Sequence, residues 1–370
     1  MRRWILTALA TGVVGCTGGA SGGGSVITPP SPTPTTTPTP APTPTPTPAA
    51  FVPAPAARAT TGIALPLGKC VNMANHLEAP SEGEWGRAIV DADFAIIKAG
   101  GFDSIRLPVR WSAHAATSAP YTIDPAFLAR VAHLVDTASA AGLNVMLNMH
   151  HYDELFADPA AHADRFAGLW RQIAAEFADA PDGVWFELLN EPHDELRDAN
   201  LLAILTPALA QVRATNLVRP VVIGGQNYSG IDSLSTLPMP DDPNVVPTFH
   251  YYDPFDFTHQ GASWVSPAPA LGRTFGSDSD IAALRRDLGK VTAYIERTGR
   301  VPFVGEYGAI DHPEVPLAQR IAYMGTTSAA FASVGVQSCA WGYTNSFRLR
   351  DGDQWLPGML EAIQTTTTLK

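Results

Sequence analysis

The stretch VWFELLNEP, residues 184–192, decides the fold. Its first six residues form a short apolar run interrupted only by Glu187, and Asn190, Glu191 and Pro192 end it. A run of this length and composition is typical of a strand buried on both faces of a parallel sheet. Polar residues directly after such a strand stand at its carboxyl end, where parallel α/β folds place functional side chains.

Seven similar runs occur along the chain, separated by loops or by segments with helical spacing. The runs are residues 69–73, 104–108, 144–149, 221–224, 246–249, 301–305 and 337–341. The predicted helices are residues 86–99, 124–141, 164–178, 200–215, 278–298, 316–334 and 354–365. Asp124 before Pro125 is a typical helix start, with an N-cap residue followed by proline at the first helical position.

Eight β-units within about 300 residues predict an α/β protein with a (β/α)8 TIM barrel. We assign this barrel to a single catalytic domain over residues 62–370. The alternative is an open doubly wound sheet, which usually carries a glycine-rich phosphate turn after its first strand. The chain has no such turn in the right context, so the barrel is favoured.

Charge composition limits the classes of partner. The chain has 24 basic and 35 acidic residues, and no acidic residue precedes Glu78. The predicted barrel is therefore strongly acidic and does not attract phosphate backbones or anionic membrane surfaces. We expect a neutral substrate and no nucleic-acid partner.

The pattern of the N-terminal residues predicts an export signal. Arg2 and Arg3 precede a mainly apolar stretch, residues 4–15, that is too short to span a bilayer. Cys16 follows Gly15 directly, as in a bacterial lipobox, so we predict a lipoprotein-type signal peptide over residues 1–15 and a lipid anchor on Cys16. The alternative is an ordinary signal peptide with an incidental cysteine. The expected location is the outer membrane or cell surface, or else the periplasm or the medium.

Residues 16–61 are predicted to be a disordered linker, first rich in Gly and Ser and then in Pro and Thr. Residues 29–55 contain 12 Pro and 8 Thr. Such a composition cannot bury a core and favours extended polyproline II. With a lipid-modified Cys16 at its far end, the segment would act as a tether for the domain.

Polar side chains follow six of the eight predicted strands. In a barrel, all strand ends at this face form one rim, which carries the active site. Six polar strand ends converging on one mouth indicate a functional site rather than solvated surface. The rim residues are Arg106, His150, His151, Asn190, Glu191, His250, Tyr252, Glu306 and Trp341.

The motifs at these positions, in this order and spacing, resemble those of glycoside hydrolase family 5, also called cellulase family A, whose members are retaining β-glycanases. The resemblance covers roughly residues 62–363. The segments LEAP (77–80) and 252–264 resemble a bacterial endo-β-1,4-glucanase subgroup with mannan-cleaving relatives. The family motifs are IRLP (105–108), MHHY (149–152), ELLNEP (187–192), FHYY (249–252) and VGEYG (304–308).

The chemistry itself requires two carboxyl groups. Hydrolysis of a glycosidic bond with retention needs them ~5–5.5 Å apart, one to attack and one to protonate the leaving oxygen. Glu191 and Glu306 end strands four and seven, on opposing arcs of the predicted ring. The resemblance implies that Glu191 is the general acid/base and Glu306 the nucleophile.

The nucleophile must stay ionised, which favours a nearby cation and hydrogen-bond donors. Arg106 keeps its charge when buried and is the expected cation. A structural ion pair between Arg106 and Glu187 is an alternative that can hold at the same time. The family resemblance implies that Tyr252 donates a hydrogen bond to Glu306, whereas Tyr251 is assigned to packing.

Four more rim residues have implied substrate contacts. The family uses the residue at Asn190 to hold the sugar 2-hydroxyl, a contact that strengthens in the transition state. His250 is expected to position the acid/base or the substrate, and His150 and His151 to bind sugar hydroxyls. The rival interpretation is a zinc site built from these three histidines. It is disfavoured because the carboxylates already fit glycosidase geometry, and we predict no metal and no cofactor.

Aromatic rings supply platforms for the apolar faces of sugars. The resemblance implies such a platform at Trp341, and we expect Trp264 and Tyr152 to form walls and Asn75 and Glu78 to bond hydroxyls near strand one. We assign the other tryptophans to packing. Some relatives carry a carboxylate after the strand-eight tryptophan, where this chain has Gly342. The residues assigned to packing are Trp85, Trp111, Trp170, Trp185 and Trp355.

Cys70 and Cys339 fall in strands one and eight, which are neighbours in a closed barrel. A disulfide across this seam and two buried free thiols remain equally open alternatives.

Together, the sequence predicts an exported, monomeric, retaining endo-β-1,4-glucanase acting on cellulose or mixed-linkage β-glucan. The alternatives are an endo-β-mannanase or dual-specificity enzyme with the same mechanism, and a glycan-binding lipoprotein that has lost catalysis.

Overall fold

A computed structural model describes residues 51–367 of the chain. The predicted signal peptide, Cys16 and most of the predicted linker lie outside these residues. Eight parallel strands close into one barrel in chain order, which confirms the predicted TIM barrel. The strands are β1 (Cys70–Asn72), β2 (Ser104–Leu107), β3 (Asn144–Asn148), β4 (Val184–Glu187), β5 (Val221–Gly224), β6 (Val245–His250), β7 (Phe303–Tyr307) and β8 (Ser338–Ala340).

Helices surround the barrel, and the helix start predicted at Asp124 and Pro125 is confirmed. Asp124 accepts hydrogen bonds from the backbone N–H groups of Ala126 and Phe127, as an N-cap residue should. None of the described helices is both long and apolar enough to cross a bilayer. The helices are α1 (Ala92–Ala99), α2 (Pro125–Ala140), α3 (Asp153–Ala157), α4 (Pro159–Glu176), α5 (Asp198–Arg213), α6 (Phe255–Thr258), α7 (Asp278–Thr298), α8 (Leu317–Ser333) and α9 (Met359–Ala362).

Three predicted helices are wrong in extent or type. The helix predicted over residues 164–178 begins earlier, at Pro159, where Asp158 caps it. The first helix begins at Ala92 rather than residue 86, because residues 81–91 form turns and loop. The predicted helix 354–365 is mostly a hairpin and loop. Strands β9 (Arg350–Asp351) and β10 (Gln354–Trp355) pair antiparallel, and only the short α9 follows.

The predicted linker boundary at residue 62 is also too late. Residues 51–61 lie against the barrel through backbone hydrogen bonds, including Ala57 N–H to the Gly335 carbonyl and Thr60 N–H to the Gly299 carbonyl, both 2.8 Å. Gly299 and Gly335 follow α7 and α8 and precede β7 and β8, so this strap crosses the face at the amino ends of the strands. Composition could not reveal it, because its hydrogen bonds to the barrel come from its backbone. The Phe51 ring also packs against the core and beside Arg285.

Cys70 and Cys339 form a disulfide, which settles the alternative that the sequence left open. The two residues are directly paired in the register of β1 and β8, and both side chains are fully buried. The bond therefore joins the first and last strands of the barrel, 269 residues apart in sequence.

We expect replacement of both cysteines by alanine to lower the free energy of unfolding by about 2–4 kcal/mol, since the link restricts the unfolded chain. Urea unfolding of the double variant and of the wild type measures this difference. Thiol titration of denatured protein provides the control, because reduction should release two additional thiols. Equal thiol counts before and after reduction would contradict the disulfide.

Candidate active site

A cleft of about 590 Å³ opens at the carboxyl ends of the barrel strands, where the sequence places the polar rim. Carboxylates, imidazoles and aromatic rings line it. The lining residues are Asn75, Glu78, Trp85, His150, His151, Glu191, Tyr252, His259, Trp264, Glu306, Trp341, Ser346 and Phe347.

Glu191 and Glu306 face each other in this cleft. One oxygen of each carboxylate and a ring nitrogen of His250 all lie within 4.8 Å of one another. Retaining glycosidases hold their carboxyl groups ~5–5.5 Å apart, whereas inverting enzymes separate them by ~6.5–9.5 Å to admit a water. The facing oxygens of Glu191 and Glu306 thus lie closer together than the carboxyl groups of inverting enzymes, which fits direct attack by one carboxylate.

A β-bulge in β7 aims Glu306 at the cleft. Phe249 pairs with Val304, but the next residue, His250, pairs with Glu306, so Gly305 is the extra residue in β7. A Cβ atom on Gly305 would lie 2.8 Å from Thr248 Oγ1 and 2.9 Å from His250 Nε2. Glycine is therefore required here, and the bulge re-aims the next side chain, as bulges beside active sites do.

Arg106 organises the floor of the cleft. Its guanidinium is fully buried and uses every N–H in five hydrogen bonds. Two go to Glu187 at 2.6 and 2.8 Å, and one goes to Glu306 Oε1 at 2.7 Å. The remaining two bonds go to the amide oxygens of Asn72 and Asn190. Both interpretations of Arg106, cation for Glu306 and ion pair with Glu187, hold together.

Hydrogen-bond donors and a cation around Glu306 offset part of the effect of its burial. Burial raises the pKa of Glu306, and the charges of His250 and Arg106 together with the Tyr252 hydroxyl oppose that rise. Tyr252 donates to Glu306 Oε2 at 2.9 Å, the contact that the family resemblance implies. The two oxygens of Glu306 thus each receive a strong donor, which suits an ionised nucleophile.

Glu191 has a different environment. Its backbone adopts a left-handed conformation, with φ of 47°, which is uncommon for a residue other than glycine and costs about 1–3 kcal/mol. His250 Nδ1 lies 2.7 Å from Glu191 Oε1, and Asn190 Nδ2 lies 3.4 Å from Oε2. Burial raises the pKa of Glu191 to about 7, so the carboxyl keeps its proton well above the usual range. This suits a general acid.

The raised pKa of Glu191 predicts the alkaline side of the pH profile. The acid must be protonated in the free enzyme, so kcat/KM should fall as the pH rises above about 7. We expect a decrease of about tenfold per pH unit on that side. Initial rates on a soluble β-glucan between pH 4 and 9 test this. Constant kcat/KM up to pH 9 would contradict the role given to Glu191.

His150 and His151 lie in the cleft, as predicted. Burial lowers the pKa of His150 well below its usual value and that of His151 to about 4, so both rings are neutral hydrogen-bonding groups at neutral pH. His150 stacks on Trp341 with 5.7 Å between ring centroids and 11° between ring planes.

At Gly342, a Cβ would lie 2.6 Å from the Ala74 Cβ, so no side chain fits where some relatives carry a carboxylate.

Asn75 and Glu78 also line the cleft, but Glu78 has a structural role that the sequence did not show. Its carboxylate accepts the backbone N–H groups of Asn75 and His76, which clamps the turn after β1. Burial raises the pKa of Glu78 to about 7. Any sugar contact by Glu78 therefore coexists with this clamp.

The aromatic walls differ in part from the prediction. Trp264 lines the cleft with 56% of its surface exposed, as expected of a wall residue. The prediction that Tyr152 forms a wall of the cleft is wrong, because Tyr152 is fully buried and its hydroxyl accepts a hydrogen bond from Arg165. The assignment of Trp85 to packing is also wrong, because Trp85 lines the cleft and is 40% exposed. Periodicity cannot separate these cases, since both residues stand in loops.

Three further lining residues were missed by the sequence analysis: His259, Ser346 and Phe347. His259 falls inside the segment 252–264 that carries the subgroup resemblance, so a signal for it existed. Ser346 and Phe347 belong to the segment between β8 and β9, and no motif marks them.

Within residues 51–367, Glu191, His250 and Glu306 are the one group close enough to hold a metal ion. The atoms of this group already have hydrogen-bond partners: His250 Nδ1 lies 2.7 Å from Glu191 Oε1, and Tyr252 donates to Glu306 Oε2 at 2.9 Å. The Arg106 guanidinium also occupies Glu306 Oε1. The geometry suits proton transfer better than coordination.

A TIM barrel with two facing glutamates, a buried arginine and aromatic walls at its mouth is a glycoside hydrolase site. The sequence profile of the family described as cellulase (glycosyl hydrolase family 5) matches residues 68–346. The chain belongs to this family, which confirms the resemblance to glycoside hydrolase family 5.

Several curated relatives are larger proteins. Endoglucanase H of Acetivibrio thermocellus is 34% identical over 248 residues, which are 67% of this chain and 26% of that protein. Cellulase/esterase CelE of the same organism is 29% identical over 304 residues, or 74% of this chain and 35% of that one. This chain thus spans about a quarter to a third of their length.

Solved structures match the barrel more completely. Cel5A of Thermotoga maritima in complex with cellobiose is 37% identical, with a TM-score of 0.78, and the match covers 80% of this chain and 97% of that one. A structure of Cel5A in complex with mannotriose has the same TM-score and coverage at 36% identity.

Proposed function

We propose that this protein is a retaining endo-β-1,4-glucanase that hydrolyses cellulose-type or mixed-linkage β-glucan by double displacement. The observation that carries the proposal is the spacing of Glu191 and Glu306, whose facing oxygens lie within 4.8 Å. The different environments of the two carboxyl groups support opposite roles, one protonated and one ionised.

In the first step, Glu306 attacks the anomeric carbon while Glu191 gives its proton to the leaving oxygen. A glycosyl ester forms on Glu306, and the shortened glucan leaves. In the second step, Glu191 takes a proton from water, and the water oxygen attacks the same carbon and releases Glu306. Each carboxyl group returns to its starting state, and no redox change occurs.

The neighbouring residues support both steps. Arg106 and Tyr252 hold Glu306 through separate oxygens, which orients the carboxylate for attack. His250 bonds Glu191 and fixes its direction. Asn190 lies beside both Arg106 and Glu191, where it can bind the 2-hydroxyl of the reacting sugar.

The shape of the cleft supports internal chain cleavage. Trp85 and Trp264 are exposed lining residues on the loops after β1 and β6, and Trp341 follows β8. These rings offer stacking surfaces for several pyranose units without adding charge. Endoglucanases among the relatives and the cellobiose complex of Cel5A support β-1,4-glucan as the substrate.

A substrate panel tests the proposal. Hydrolysis rates should be compared at equal enzyme concentration on carboxymethyl cellulose, barley β-glucan, xyloglucan and glucomannan. NMR should identify the anomer that forms first. We expect hydrolysis of the first two with a β-anomer product. An α-anomer would overturn the mechanism, and preference for glucomannan would favour the mannanase alternative. Binding without cleavage of any of the four would favour a glycan-binding protein. Activity should persist in EDTA.

We also propose that the protein is exported, anchored through Cys16 and monomeric. The support is the charged and apolar N-terminal stretch with Gly15–Cys16 and the disulfide, a bond typical of exported proteins. Metabolic labelling with a palmitate analogue, compared with a Cys16→Ser variant, and sedimentation of the purified protein test these points.

A further inference from the structure

The segment between β8 and β9 contributes a wall of the cleft. Phe347 is almost completely buried and stands behind three other rings. Its ring centroid lies 6.0 Å from that of Tyr252, 5.4 Å from that of His259 and 6.2 Å from that of Trp264. Phe347 therefore supports both the tyrosine that bonds Glu306 and the exposed tryptophan of the wall.

Both chain neighbours of Phe347 are attached to one residue, Asp311, in the loop after β7. The Asp311 backbone N–H donates to the Ser346 carbonyl at 2.7 Å. The Asp311 carboxylate forms an ion pair with Arg348. Asp311 thus holds the chain immediately before and immediately after Phe347.

A second arginine closes this arrangement from helix α8. Arg320 is buried and pairs with Asp311 Oδ1 at 2.8 Å, and it also donates to the Arg348 carbonyl. Because its carboxylate pairs with two guanidiniums and its backbone N–H donates to the Ser346 carbonyl, Asp311 is held in one position.

The end of β7 supports the ring from behind. A Cβ on Gly308 would lie 3.1 Å from Phe347 Cδ1 and 2.2 Å from the Trp341 carbonyl oxygen. The backbone of Gly308 is therefore packed directly against Phe347. The Phe347 ring therefore packs against the end of β7, while Asp311 holds the two neighbouring residues, Ser346 and Arg348.

We propose that Asp311 is a positioning residue for substrate binding. It fixes Phe347 and, through that ring, the wall of Trp264 and His259 against which a glucan packs a pyranose ring. The proposal rests on the proposed glucanase function and adds the residue that sets one binding wall. Asp311 does not line the cleft, so its effect falls on binding rather than on the chemical step.

The test compares Asp311→Asn with wild type on barley β-glucan. Losing one aromatic contact should raise KM about tenfold, with kcat within about twofold. Phe347→Ala should raise KM at least as much, and Arg348→Met removes the ion pair from the other side if Asp311→Asn does not fold. The matched control is Asp351→Asn, which removes only the exposed partner of the same Arg348 and should leave KM unchanged.

The pattern of kcat and KM distinguishes positioning from loss of stability. A merely structural role would reduce the active fraction, which lowers kcat and leaves KM unchanged, and that result would overturn the proposal. An equal rise of KM in Asp351→Asn would also overturn it. The double variant Asp311→Asn/Phe347→Ala should bind no more weakly than Phe347→Ala alone, since both changes remove one contact.

Failure of the glucanase function itself is separable. If the wild type hydrolysed no glucan, tryptophan fluorescence titration with cellotetraose would still compare the wild type, Asp311→Asn and Asp351→Asn. Weaker binding in Asp311→Asn alone supports the positioning role, and equal binding in all three overturns it.

Discussion

Replacement of Glu306 by alanine should lower kcat on β-glucan by more than about 10⁴-fold, because the nucleophile that forms the covalent intermediate is lost. The cavity left by the side chain lies beside the anomeric carbon and can admit a small anion. Azide should therefore partly restore turnover of an activated aryl β-cellobioside and yield the α-glycosyl azide. Rates with and without azide, together with identification of that product, provide the measurement.

Glu314→Ala is the matched control, since Glu314 is exposed in the loop that follows β7. It should retain wild-type rates and show no response to azide. Wild-type activity in Glu306→Ala would show that the nucleophile lies elsewhere.

Replacement of Glu191 by glutamine should reduce kcat on β-glucan by about 10²–10⁴-fold, because the leaving oxygen no longer receives a proton. The effect should depend on the leaving group. A 2,4-dinitrophenyl glycoside needs no protonation, so its first step should proceed and the glycosyl ester should accumulate. Burst kinetics and mass spectrometry of the protein detect this intermediate.

Glutamine also cannot titrate, so the decrease in kcat/KM above pH 7 should disappear in this variant. Equal losses on glucan and on the activated glycoside, without a burst, would contradict the role of Glu191 as acid/base.

The sequence predicted the strands well because each buried strand has a strong local signal. The predicted run 104–108 and the observed β2 (Ser104–Leu107) differ by one residue. Helix α2 was equally clear, since Asp124 and Pro125 mark its start chemically. The hairpin β9–β10 was not clear, because strands of two residues carry no periodicity.

The site was predictable in its residue types but not in its geometry. Glu191 and Glu306 follow strands, and topology alone brings strand ends to one rim. Their separation depends on the bulge at Gly305 and on the left-handed backbone of Glu191, and neither is visible in composition or periodicity. The predictions for Trp85 and Tyr152 were wrong for the same reason. Both residues lie in loops, and the path of a loop decides whether a ring is exposed in the cleft or buried.

The strap at residues 51–61 has a practical consequence for engineering. Thr367 donates its backbone N–H to the Ala54 carbonyl at 3.0 Å, so the start and the finish of the described chain run side by side. A few added residues should join them, and circularly permuted versions with new ends in a surface loop become feasible. Cargo fused directly to residue 51 or residue 367 would leave from the face at the amino ends of the strands, opposite the cleft.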